Sequence, residues 1–175
     1  MKVTVILTPE SSDVEGRVSG DIVLGPQALE SIKEALQLKR SGRAGEVTVV
    51  TLGQSLTLDQ SRDLLQQGVD RKRFIPCDVI PSPMELAEVL LAIVHLEKPD
   101  LILIGRSEDK LQCQLGNLLA ELLEFRSSQA EEGVGQFFRT LVIREIGSGI
   151  NIVTLPAIAS DQGLVKDTLS RLQVA

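Results

Sequence analysis

The sequence predicts an α/β protein: a parallel sheet with helices on both faces, extended at its carboxyl side by an antiparallel hairpin. Three observations predict this. Short apolar runs alternate with amphipathic ones in the order β-α-β-α-β-α-β-α. The run Leu101–Ile104 is apolar throughout, as a strand buried on both faces must be. After Glu124 the pattern changes to two strand-like runs around the turn signal Gly147-Ser148-Gly149.

In chain order, Val3–Leu7 is the first strand, and a polar excursion through Ser11, Ser12, Gly16 and Gly20 leads from it to Gly25. Pro26 opens a helix, because proline at a first helical position forfeits no intrahelical hydrogen bond. Leu29, Ile32 and Leu36 mark its inner face and Ser41-Gly42 stops it. Glu46–Leu52 is the second strand, closed by Gly53. Asp59–Gln67 forms a helix ending at Gly68, with a short strand at Phe74–Pro76 after it. The helix Pro83–Glu97 is stopped by Pro99 and feeds the strand Leu101–Ile104, and the next helix carries Leu115, Leu118, Leu119 and Leu122 on one face. Gln136–Ile146 and Ile150–Leu155 make the hairpin. Asp161–Ala175, partly amphipathic at Leu164, Leu169 and Leu172, is a terminal helix or an arm on a partner. The chain reads as one domain: a parallel core over about 1–125, an antiparallel extension over about 126–160, and a terminal segment 161–175.

A chain of 175 residues, 43% hydrophobic and 24% charged, buries a core without disulfide or metal staples. Its net charge is −6, its basic residues are dispersed, and only 2% of residues are aromatic, with no Trp or Tyr. That excludes the basic footprint of a nucleic-acid or anionic-membrane binder and the platforms on which bases stack. No segment reaches transmembrane length, and MKVTVILT is a strand pattern rather than a signal peptide, so a cytoplasmic protein is expected. Cys77 and Cys113 are too few and too far apart for a disulfide framework or a zinc site.

Little catalytic chemistry can be assembled. His95 is the only histidine and reads as a surface residue, so no Ser-His-Asp constellation or multi-histidine metal site is available. There is no phosphate-loop or dinucleotide fingerprint, since Gly133-Val134-Gly135 and Gly147-Ser148-Gly149 do not open helices. Glu108-Asp109 and Glu131-Glu132 read as solvated surface acids. Cys113 falls near a helix amino terminus, where a thiolate is favoured, but reads as passive. What remains is a place for an anion. Gly105 follows a buried strand at the carboxyl edge where open α/β sheets bind ligands, and the loop Arg106–Gln112 then meets the positive end of a helix. The same run also reads as an ordinary strand-to-helix connection.

The stretches GPQALESIKEALQLKRSG, GEVTVVTLG, LLQQGVDRKRFIP, KPDLILIG, CQLGNLLAELL and TLPAIASD, taken in order, resemble the β subunit of the electron transfer flavoproteins from about Gly25 to Asp161. The resemblance implies a Rossmann-like fold of the adenine nucleotide alpha hydrolase type and pairing with an α-like subunit. It also implies electron transfer from dehydrogenases through FAD held mainly by that partner, with no catalytic chemistry in this chain itself. Typical members bind AMP in this subunit, and some bifurcating members a second FAD. Carried over by position, the nucleotide pocket is lined by Ile6, Gly25, Pro26, Gln27, Ala28, Leu52, Gly105, Arg106, Ser107, Gln112, Cys113, Gln114 and Leu115.

Departures from the family pattern fall on that pocket. Gly25 replaces the family's helix-start Asn and Gln27 its Phe, while Leu115 replaces the Thr and Cys113 the Asn of its N-Q-T-G loop end. Arg106 and Lys110 are the positive charges near the loop. The chain also stops soon after Asp161, without the family's long carboxyl-terminal arm. These features imply a divergent or truncated member. Two alternatives stay open: a stand-alone nucleotide-binding or regulatory protein of the universal stress protein kind, and a degenerate structural subunit with an empty pocket. Without an α-like partner, a homo-oligomer stays open as the assembly.

Overall fold

A computed structural model describes residues 1–8, 22, 24–77, 82–105, 115–129, 138–145 and 150–156. Six strands form one sheet in the order β3-β2-β1-β4-β5-β6. They are β1 (Lys2–Leu7), β2 (Glu46–Leu52), β3 (Arg71–Ile75), β4 (Leu101–Gly105), β5 (Phe138–Glu145) and β6 (Ile150–Pro156), with helices α1 (Pro26–Arg40), α2 (Leu58–Gln67), α3 (Pro83–Glu97) and α4 (Leu115–Gln129) between them. β1 to β5 are mutually parallel, and β6 runs antiparallel to β5, with Ile152 opposite Val142. The predicted α/β class and the antiparallel β5–β6 pair are both present. One point differs: β5 belongs to the parallel sheet, so the antiparallel extension is a single strand. The α4 crossover between β4 and β5 brings β5 back in the parallel sense.

Alternate residues along the central strands face opposite layers. Val3, Val5, Leu7, Val47, Val49, Leu101 and Leu103 pack against Ile32, Ala35 and Leu36 of α1 and Leu64 of α2. Ile6, Val50, Leu52, Ile102, Ile104, Leu141 and Ile143 pack against α3 and α4. Each fully buried leucine or isoleucine contributes about 1.5–3 kcal/mol. α3 is buried nearly all round, from Leu86 to Val94, as its apolar sequence requires.

Three expectations need correction. The third strand starts at Arg71 rather than Phe74, and everything in it but Ile75 is exposed, because it is the sheet's edge. Leu29 is 40% exposed, since the inner face of α1 centres on Ile32, Ala35 and Leu36 and includes Ser31. His95 is half-buried rather than on the surface.

The amino-terminal edge of the sheet is pinned by polar contacts. The Lys2 N–H donates to the Asp100 carboxylate at 2.7 Å and the Asp100 N–H returns to the Lys2 carbonyl at 2.9 Å. Lys39 Nζ, at the end of α1, donates to the Gly68 carbonyl at 2.7 Å and to Asp70 at 2.6 Å. The second oxygen of Asp70 accepts the Val47 N–H at 2.8 Å. Partial burial raises the Asp70 pKa, but the bonds from Lys39 and Val47, with the nearby charge of Arg71, outweigh it and hold the carboxyl below its ordinary value.

Candidate functional site

β1 and β4 are adjacent at the centre of the sheet, and the crossovers leave them for opposite faces: α1 and α2 cover one, α3 and α4 the other. Such a switch point opens a crevice outside the carboxyl ends of the strands. Leu7 and Gly105 end the two strands there, paired to each other, and Thr8 follows β1. The start of α1 closes over this edge, and Ser31 in its second turn is fully buried, its hydroxyl donating to the Gln27 carbonyl at 2.9 Å.

The three helices whose amino termini can be compared differ in how those ends are satisfied. At α2, Thr57 Oγ1 accepts the Gln60 N–H and the Gln60 side chain accepts the Thr57 N–H. At α3, Ser82 and Glu85 make the same reciprocal pair, which holds the Glu85 carboxyl below its ordinary pKa. Among the described residues α1 has no such device: its N-cap is Gly25, no described side chain caps it, and its first turn holds no acidic residue. Pro26 has no N–H to offer, and the Leu29 N–H already bonds the Gly25 carbonyl at 3.0 Å. The N–H groups of Gln27 and Ala28 are therefore the donors this terminus can present to an anion. Gly25, Gln27 and Ala28 are half-buried, within reach of a ligand.

The expected pocket residues divide three ways. Gly25, Pro26, Gln27, Ala28 and Gly105 come together at this edge. Ile6, Leu52 and Leu115 belong to the apolar core on the α3/α4 side, each 1% exposed or less, so their side chains cannot bond a phosphate. Arg106, Ser107, Gln112, Cys113 and Gln114 lie outside the described residues. Gly105 has a structural role that sequence alone did not indicate. A Cβ there would lie 2.9 Å from Ala28 Cα and 3.3 Å from Ser31 Oγ, so its glycine is required by the approach of α1. Gln54, 5% exposed beyond the end of β2, is a buried polar group at the same edge that sequence reasoning missed. Its signal was its place just after the strand-closing Gly53, which has φ 69°.

The backbone donors at the start of α1 are of the kind that can hold an anion, and the described residues at this edge bring no nucleophile and base together. Among the described residues no group of three His, Cys, Asp or Glu is placed to hold a metal ion. No described helix is long and apolar enough to cross a membrane.

Comparison with known proteins shows the family. Residues 17–128, which run from before α1 through β4 and nearly to the end of α4, match the electron transfer flavoprotein domain. The chain is 32% identical over 164 residues to the mitochondrial electron transfer flavoprotein subunit beta of Oryza sativa subsp. japonica, covering 89% of this chain and 64% of that protein. It is 34% identical over 138 residues to the subunit beta of Bradyrhizobium diazoefficiens, covering 74% and 54%. The human subunit beta is 29% identical over 140 residues, with the same coverage. The chain thus spans somewhat under two thirds of the length of these relatives. By its matched domain and the relatives it resembles, the chain belongs to the electron transfer flavoprotein family.

Proposed function

We propose that the chain is a β-subunit-like partner of an electron transfer flavoprotein α-like subunit, in a complex that carries electrons from dehydrogenases. The observation that carries this reading is the uncapped start of α1 set against Gly105 at the β1–β4 switch point, in a chain with no dinucleotide fingerprint of its own. FAD, held mainly by the partner, supplies the redox chemistry when bound. This chain's part is to dock, to cover one side of the shared site, and to present the Gln27 and Ala28 N–H groups to a phosphate.

AMP fits this edge less well than it fits the family's own pocket. Gly25 has no side chain and Leu115 is fully buried, so two side-chain contacts to a nucleotide are missing. These two positions favour a second reading for the pocket alone: a subunit that keeps its partner while its nucleotide site has degenerated. Size-exclusion chromatography of the chain mixed with an α-like subunit tests the partnership. A 1:1 complex is expected, and separate elution of the two chains at micromolar concentration overturns the subunit assignment.

A further inference from the structure

The sheet has β3 at one edge and β6 at the other, and only one of them is guarded. β3 carries Arg71, Lys72 and Arg73, charges that keep an edge strand from pairing with another chain. The run Ile150–Leu155 of β6 has neither a charged residue nor a proline. Among the described residues no strand pairs with its outer side, and Ile150 is 60% and Ile152 65% exposed. The bonding of β5 fixes which groups of β6 point outward. The Val142 N–H donates to the Asp100 carbonyl at 3.0 Å, so the main chain of Val142 is turned to β4. Peptide direction alternates along a strand, so Leu141 and Ile143 are turned to β6, where Val153 and Asn151 stand opposite. Ile152, opposite Val142, therefore directs its N–H and carbonyl to the open edge, as do Ile150 and Thr154. These three residues are spaced evenly about Ile152, which makes the edge its own complement under a two-fold axis.

We propose that two copies of the chain pair along β6, antiparallel about a two-fold axis at Ile152, so that the sheet continues from one copy into the other. Ile152 stands opposite Ile152 of the second copy and Ile150 opposite its Thr154, and each such pair exchanges two N–H to carbonyl bonds. On the α1/α2 side the two Ile152 side chains meet, flanked by the two Ile150 side chains, and bury an apolar strip that one copy leaves in water. A two-fold axis sets each residue near its own copy, so a charged edge such as β3 repels itself. The uncharged run of β6 does not, although the chain carries a net charge of −6. The helix layer agrees. α4 contacts both α3 and β6. Gly116 and Ala120 are buried on the flank of α4 that α3 covers, whereas Leu118 and Leu122, one turn apart on the other flank, are only partly buried. That flank is turned away from α3, toward the β6 edge, where the second copy supplies its own α4. The pairing does not rest on the α-like partnership proposed above.

Sedimentation of the full chain with charge-swapped variants tests the register. The parent should be a dimer at tens of micromolar. Ile152→Lys and Ile152→Glu should each be monomeric, because each sets like charges opposite one another. Mixed, they should form a dimer with one copy of each, a pattern that requires Ile152 to face its own copy. A monomeric parent, a dimer that survives Ile152→Lys, or no recovery on mixing would overturn the proposal. In a Cys113→Ser background, Ile152→Cys should cross-link two copies under mild oxidation, whereas Ile150→Cys, four residues out of register with its own copy, should not. Equal cross-linking at both positions would contradict the register. Hydrogen exchange on the unmodified chain needs no engineered variant to fold. The amides of Ile150, Ile152 and Thr154 should slow by at least about tenfold as concentration rises through the dimer transition. Slowing that is absent in the chain alone and arises only when an α-like subunit is added would assign the edge to that partner and overturn pairing with a second copy.

Discussion

A Cβ built on Gly105 would fall 2.9 Å from the Cα of Ala28 and 3.2 Å from its nitrogen, so the end of β4 and the start of α1 are in backbone contact. Gly105→Ala should cost about 1–3 kcal/mol by forcing the two apart. Gly45→Ala, where a Cβ meets nothing within 4 Å, should stay within about 0.5 kcal/mol. Urea unfolding of both variants checks the contrast, and equal effects would contradict the close approach.

The Lys39–Asp70–Val47 contact makes stability depend on acidity. The folded-state pKa of Asp70 lies below the ordinary carboxylate value that applies in the unfolded chain. Its contribution is therefore complete above that ordinary value and is lost as pH falls through the lower folded value. Asp70→Asn should be less stable than the parent near neutrality. The gap should narrow as the pH is taken below about 4. A gap of constant size across that range would contradict the assignment.

Glu97 is 9% exposed at the end of α3 and pairs with Arg73 and Arg71 on the edge strand. Arg71 also reaches Glu46 at 2.9 Å. Breaking a fully buried pair costs more, but both arginines are about half-exposed and can rehydrate. Glu97→Ala should therefore cost about 1–2 kcal/mol. Amide exchange should rise first in residues 71–75, and an increase confined to α3 would count against the pairing.

AMP should bind at submillimolar concentration or weaker. On the proposed pocket, Gly25 and Leu115 each lack one side-chain contact, for at least about tenfold per contact relative to a member that has it. Calorimetry decides this. Micromolar affinity would mean that other groups compensate, and Arg106→Ala and Lys110→Ala would then each weaken it.

Much of the fold was legible because its signals were local and strong. Pro26, Ser41-Gly42, Gly68 and Pro99 mark element ends, and the apolar run of β4 could only be a doubly buried strand. β3 was misjudged because Arg71-Lys72-Arg73 carries no apolar pattern. An edge strand needs none, as its side chains are solvated. The parallel pairing of β5 was hidden because strand direction is set by the preceding crossover and leaves no mark in the strand's own residues. At the site, Gly105 and the helix-opening Pro26 were visible. The burial of Ser31 and Gln54 was not, since it arises only when α1 and the loop after β2 close on the sheet.

The flavin content of this chain, alone and in complex, tests the central claim most directly. The purified chain should be colourless, and a complex co-expressed with an α-like subunit should be yellow, with about one FAD per heterodimer. Stoichiometric FAD in the isolated chain, or a stable heterodimer without flavin, would contradict the account.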